Sequence, residues 1–398
     1  MLPSSKNEKG YDVNQESTAT KSELQLKKTL NIIALTLLLG CHTLSVSASE
    51  PLSESLNEIK RDIIFDGPYL FNQAENETTQ QAYWVCANEL LATPVHDSQL
   101  SRPNHCGKLP EPTLNPKAKE IAANTYTGVS KIVALSDVHG QFDVLITLLK
   151  NQNIIDEHNN WAFDNGHMVM TGDMFDRGHQ VNEVLWFMYK LDKQAQDAGG
   201  KLHLLMGNHE QMVMRGDLRY VNERYKTAEK LLERSYDELY DDSSEIGQWL
   251  RSKHTIVKIN TSLFLHGGIS AEWVDRELTL DKANQVYRAN IDKSKPELKS
   301  DELLNFLFLG NGPTWFRGYF EDDYNESEID RVLAYFDVKH IVVGHTSQTQ
   351  VLGLFNNKVL AVDSSIKNGK SGELLLIIPN EGKNTLTRGL YDGSRVAL

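Results

Sequence analysis

The sequence predicts an α/β protein with two stacked mixed β-sheets flanked by helices and a small N-terminal extension. Two observations point there. From Ser130 onward, the apolar strand-like runs KIVALSDVHG, HMVMTGD and KLHLLMGNHE alternate with stretches whose apolar residues recur at helical spacing. A second set of strand-like runs, TIVKIN, SLFLHGG, KHIVVGHT, VLGLF, KVLAVDSS and GELLLIIP, follows a charged helical region.

Residues 1–50 read as export signal and tether. Leu30 to Gly40, LNIIALTLLLG, follows Lys27 and Lys28; roughly ten apolar residues suit the core of an export signal and are few for a bilayer span. LLLGC, ending at Cys41, resembles a bacterial lipoprotein cleavage box that would leave Cys41 lipidated as a membrane tether. SVSASE offers ordinary cleavage near Ala48 or Ser49 instead. A buried helix or uncleaved anchor is the structural alternative, and the polar leader from Met1 to Leu26 departs from both export patterns. The implied location is periplasmic or exported.

The extension, 51–128, is polar and turn-rich. DGPYLF (Asp66 to Phe71) and QAYWVC (Gln81 to Cys86) read as a small hairpin or cover, with Tyr69, Phe71, Tyr83 and Trp84 assigned to core packing ahead of groove lining. Cys86 and Cys106 enclose a loop of about twenty residues and would pair in an oxidising compartment; two free buried thiols are the alternative.

The main domain, 129–398, continues with QFDVLITLLKNQ and VNEVLWFMYKLDKQAQDAGG as crossover helices, the latter closed by glycines. Residues 217–251 read as helical and charged, clearest in YKTAEKLLERSYDELY, and 281–311 as mostly helical. The hydrophobic share of 40% and charged share of 24% are those of an ordinary globular protein. A formal net charge of −13 argues against nucleic acid as a partner, because phosphate-backbone binding needs a basic face.

In open α/β sheets, ligands bind beyond the carboxyl ends of the strands. Asp137 and His139, then Asp173, then Asn208 and His209 follow the first three strands, and His266 and His345 follow later ones. Carboxylates and imidazoles gathered at one sheet edge call for a cation. With an amide and no thiolate among them they favour a pair of Mn, Fe, Zn or Mg ions over a structural zinc. Taken singly, a DxH pair, a histidine before two glycines, or GHTS is a weak signal; GDMFDRG and GNHE are strong ones.

The series SDVHG, GDMFDRG, GNHE, LHGG and VVGHT resembles the calcineurin-like metallophosphoesterases, over about residues 130–365. Asp176 before Arg177 and Glu210 in GNHE resemble the phosphoprotein phosphatase branch, and GDLRY (216–220) and GPTWFRGYF (312–320) resemble its Shewanella-like subgroup. The resemblance implies that Asp137 and His139 hold one metal, Asn208, His266 and His345 the second, and that Asp173 bridges both. Ser347 stands where other metallophosphoesterases carry a second histidine, as in protein phosphatases generally, and Ser136 replaces a common glycine.

Two cations would acidify a bridging water to the attacking hydroxide and clamp the phosphate. His209 would protonate the leaving oxygen, and Asp176 would orient and charge-stabilise it. Arg177 by motif and Arg317 by resemblance would bind phosphate oxygens; Arg219 is a further candidate, with a surface salt bridge as its alternative. None of Cys41, Cys86 or Cys106 has arginine six places on, which excludes a cysteine-nucleophile phosphatase loop. The reading is a phosphomonoesterase for phosphorylated proteins or peptides, with phosphotyrosine favoured by resemblance. A nucleotide or dinucleoside polyphosphate hydrolase and an envelope binding lipoprotein with a structural metal site are the alternatives.

Overall fold

The computed structural model describes residues 63–73, 79–380 and 382–398; the expected export signal, tether and Cys41 lie outside the described residues. The extension forms a three-stranded antiparallel sheet of β1 (Phe65–Leu70), β2 (Gln81–Cys86) and β3 (Glu89–Pro94). Its aromatics pack inward: Tyr69, Phe71 and Trp84 are buried, and Tyr83 is partly buried against the same core. Cys86 and Cys106 stand in disulfide geometry, with Cα atoms 4.8 Å apart. A twenty-residue closure of this kind restricts the unfolded chain by about 3 kcal/mol. Cys86→Ser/Cys106→Ser should therefore lower the urea midpoint, and reductant should shift the parent chain but not the double variant.

Along the chain follow β4 (Thr125–Tyr126), β5 (Ile132–Leu135), α1 (Phe142–Asn151), β6 (His167–Met170), α2 (Val181–Asp197), β7 (Lys201–Leu204) and α3 (Asn208–Met214). After α4 (Lys226–Leu232) and α5 (Glu245–Arg251) come β8 (Ile256–Ile259) and β9 (Ser262–Leu265). The last strands are β10 (His340–Val343), β11 (Leu352–Leu354), β12 (Val359–Ala361), β13 (Leu374–Asn380), β14 (Lys383–Gly389) and β15 (Arg395–Ala397). One six-stranded mixed sheet runs β15-β14-β13-β5-β6-β7 and the other β11-β12-β10-β9-β8-β4.

Alternation along each strand explains the stacking. Ile132 and Ala134 of β5, Val169, Phe264, Val342, Leu360 and Leu375 share one buried cluster between the sheets. Their neighbours Val133, Leu135, Met168, Met170, Leu263, Leu265, Ile341 and Val343 belong to the larger core beneath the helices. Strands covered on both faces run apolar at most positions rather than alternating, which is why they stood out.

Helix α1 presents Val144, Leu145, Leu148 and Leu149 to this core, with Asp143 in its first turn and Lys150 in its last, each sign complementing the helix dipole. Helix α2 also anchors the extension: Asn182 Nδ2 donates to buried Asp66 at 2.8 Å, and Trp186 Nε1 donates to the Pro68 carbonyl at 2.8 Å. Nearby, Glu183 is only part-buried, but its Oε2 is wholly buried and lacks a hydrogen-bond partner. Burial, then the Asp66 charge, pushes its carboxyl from 4.5 up to about 8. A raised folded pKa favours folding below the unfolded value and loses that contribution as pH rises through the folded one. Glu183→Gln should therefore gain thermal stability relative to the parent as pH climbs from about 5 to about 9.

Two expectations changed. The segment YKTAEKLLERSYDELY is not one helix: α4 ends at Leu232, and Glu233 turns left-handed at φ 53°. The break turns Tyr236 and Tyr240 into the core, where Phe175 packs edge-on against Tyr240 at 4.8 Å between centroids. The strand β14, KNTLTRG, was not anticipated, being polar and only partly buried. The described residues fall in the compact unit Asp62–Leu398.

Candidate active site

Parallel pairing brings the strand ends together. Leu135 lies opposite Met170, Met170 opposite Leu204, and Phe264 opposite Val342, so the loops after β5, β6 and β7 share one edge and those after β9 and β10 another. The edges meet where His266 Nδ1 lies 2.8 Å from the Thr171 carbonyl. Beyond the strands the backbone is left-handed at Asp137 (φ 53°), His139 (46°), Asp173 (61°), Asp176 (71°), Arg177 (64°) and His345 (63°). Non-glycine residues adopt this region at a cost, and such residues persist where neighbours hold them. Gly207 is required for another reason: a Cβ there would collide with the Asp173 carboxylate and amide.

Asp173 is the hub. Its Oδ2 is 3.5 Å from His139 Nε2 and 3.9 Å from His209 Nε2, and its Oδ1 is 3.2 Å from His266 Nε2. Asp137 Oδ1 is 3.8 Å from His139 Nε2, while its Oδ2 accepts from Ser136 Oγ at 2.5 Å and the His345 amide at 2.9 Å. Asn208 Oδ1 lies 2.8 Å from His266 Nε2. All are buried, and the sets His139/Asp173/His209 and Asp173/His266/His345 each offer ligand atoms within 4.8 Å of one another. The six expected ligands are thus brought together.

The donor chemistry suits cations. Carbonyls of Phe175 and Thr171 accept from Nδ1 of His139 (2.6 Å) and His266 (2.8 Å), so each ring directs Nε2 toward the carboxylates. Burial holds His139 down at about 3, and His345 well below the usual range, so both rings are neutral, the ligating form. His345 Nε2 is buried without a hydrogen-bond partner, a costly orphan that a metal bond would satisfy. Burial lowers His266, but the Asp173 and Asp137 charges outweigh it and push it up to about 9, the mark of a site that draws positive charge. The residues fit divalent metal.

His209 Nδ1 is 2.5 Å from Asp176 Oδ2, which leaves Nε2 facing the Asp173 side. Burial lowers His209, yet Asp173 and Asp176 together raise it above 6.5. Arg317 donates to the His345 carbonyl and Thr346 Oγ1, both at 2.9 Å, beside the second ligand set. Arg177 is exposed, its amide bonded to the Tyr220 carbonyl at 2.9 Å. Arg219 forms a two-pronged contact with Asp217 at 2.7 and 2.9 Å and is largely exposed, so the salt-bridge alternative describes its present partner.

Three residues were missed as working parts. Glu210, fully buried, accepts from the amides of Asp173 (2.8 Å), Met174 (2.7 Å), Phe175 (3.3 Å) and Gly207 (2.7 Å), fixing one metal loop to the next. Asp363, also fully buried, accepts from Ser347 Oγ at 2.5 Å, at the place of the absent second histidine. After burial itself, Asp363 and then Asp173 push Asp137 well above the carboxylate range. Tyr220 lies against His209, with ring centroids 5.3 Å apart. Glu210 was visible in GNHE and Tyr220 in GDLRY; nothing local marked Asp363.

Residues 130–348 match the family model for calcineurin-like phosphoesterase. This chain is a calcineurin-like phosphoesterase. Among relatives of this phosphoesterase, the Shewanella-like protein phosphatase 1 of Plasmodium berghei is 31% identical over 248 residues, 59% of this chain and 67% of its own. The symmetrical bis(5'-nucleosyl)-tetraphosphatase of Aliivibrio salmonicida is 23% identical over 273 residues, 58% of this chain and 89% of its own. A crystal structure of the cold-active protein-tyrosine phosphatase of a psychrophilic Shewanella species is 63% identical, with a TM-score of 0.81 over 84% of this chain and 99% of its own.

Proposed function

We propose that this phosphoesterase is a phosphomonoesterase of phosphorylated proteins or peptides, with phosphotyrosine preferred over phosphoserine and phosphothreonine. The observation that carries the reading is the His209–Asp176 pair, 2.5 Å apart, set beside a buried Asp/His/Asn cluster. Two divalent cations held by Asp137, His139, Asp173, Asn208, His266 and His345 would supply an activated water and positive charge for the phosphate oxygens.

The chain's own groups do the rest. His209 Nε2 donates a proton to the departing ester oxygen, and Asp176 stabilises the ring in its charged form. Arg177 and Arg317 bind phosphate oxygens as planar, always-charged forks. Glu210 keeps Asp173 in place relative to Gly207. The nucleophile is solvent-derived hydroxide, so no phosphoenzyme forms. The similarity to the Shewanella tyrosine phosphatase supports the phosphotyrosine preference. The charged run before Leu30 and the apolar run to Gly40 support export, with Cys41 as a lipid anchor; the mass of the mature N-terminus tests both.

The experiment is a panel of matched phosphotyrosine, phosphoserine and phosphothreonine peptides plus diadenosine tetraphosphate, run with Mn, Fe, Zn or Mg. The expected order places phosphotyrosine first. Release of nucleotides as the fastest reaction would replace the reading with polyphosphate hydrolysis.

A further inference from the structure

Tyr220 keeps 43% of its surface exposed, although its ring centroid is 5.3 Å from that of His209, with the planes tilted by 50°. Guanidinium carbons of Arg177 and Arg219 lie 5.1 and 5.5 Å from the Tyr220 ring centroid. Arg219 is itself held by Asp217. Cations near an aromatic face are attracted to its quadrupole, so the two guanidinium groups help to hold this ring in place. The backbone adds a second restraint, since the Arg177 amide donates to the Tyr220 carbonyl at 2.9 Å. That tie joins GDLRY to GDMFDRG whatever side chain stands at 220.

The chemistry of the proton transfer decides what lies beside this ring. A general acid must reach the ester oxygen within hydrogen-bond distance. In an aryl phosphate that oxygen is bonded directly to a ring carbon, so the substrate ring falls next to His209 and within reach of Tyr220. In an alkyl phosphate a methylene takes that place and presents no aromatic face.

We infer that Tyr220 is the platform for the aryl leaving group, and so a residue that sets the preference for aryl over alkyl phosphomonoesters. The inference rests on the phosphomonoesterase reading above. Offset or edge contacts between aromatic rings favour binding by a few-fold to about ten-fold.

The test uses the full chain loaded with Mn and compares kcat/KM for matched phosphotyrosine and phosphoserine peptides, and for phenyl and propyl phosphate. Variants are Tyr220→Leu and Tyr220→Phe, both at an exposed position whose main-chain tie survives. The expected result is a fall of about five- to ten-fold in the aryl-to-alkyl ratio for Tyr220→Leu, expressed mainly in KM, with the ratio restored in Tyr220→Phe. An unchanged ratio would overturn the inference, including the case where both substrate classes lose equally because the ring merely props Arg177. A parent chain inactive on both classes would instead overturn the phosphomonoesterase reading on which it rests.

Discussion

Asp173→Asn is expected to cut aryl phosphate hydrolysis by about 10³-fold and to lower the metal content of the chain. Asp173 is the carboxylate that His139, His209 and His266 share, at 3.5, 3.9 and 3.2 Å. An amide keeps the shape but removes the charge that would hold two cations side by side. The loop should stay folded, because Glu210 grips the backbone amides of residues 173 to 175 rather than the side chain. A near-parental melting temperature with depleted metal and lost activity would match the expectation. Full activity with metal retained would remove Asp173 from the site.

His209→Asn should lower kcat by about 10²- to 10⁴-fold on substrates with poor leaving groups, the range a positioned general acid contributes. The loss should shrink for p-nitrophenyl phosphate, whose leaving oxygen departs without a proton. Metal content should hold, since the expected ligands are elsewhere. Asp176→Asn should reproduce part of the loss: its Oδ2 is the partner of His209 Nδ1 at 2.5 Å. An equal loss on both leaving groups would assign His209 to metal or phosphate binding instead of proton transfer.

Much of the fold was legible because its strands are buried on both faces. Val133 and Ala134 face different cores, yet both are apolar, and the run is conspicuous for that reason. The tyrosine-rich segment after α4 misled, because a helical pattern competed with burial of Tyr236 and Tyr240, and burial prevailed. Strand β14, paired between β13 and β15, buries little and carries no comparable pattern. The six expected ligands could be picked out because each follows a strand of recognisable type, and the fold brings them together. The roles of Glu210 and Asp363 were not legible, since their work lies in contacts across the loops: Glu210 with the Asp173 and Met174 amides 37 and 36 residues away in sequence, and Asp363 with Ser347 16 residues away. Tyr220 sat beside a candidate arginine, and only the fold shows its ring against His209.

The most direct measurement is a metal titration of the chelator-stripped full chain, with aryl phosphate hydrolysis and elemental analysis followed together. Activity is expected to be absent in the stripped chain, to rise with added divalent metal and to saturate at about two equivalents per chain. Hydrolysis that survives stripping, or a chain that takes up two equivalents and leaves every phosphomonoester intact, would contradict the assignment of this cluster as a two-metal phosphoesterase centre.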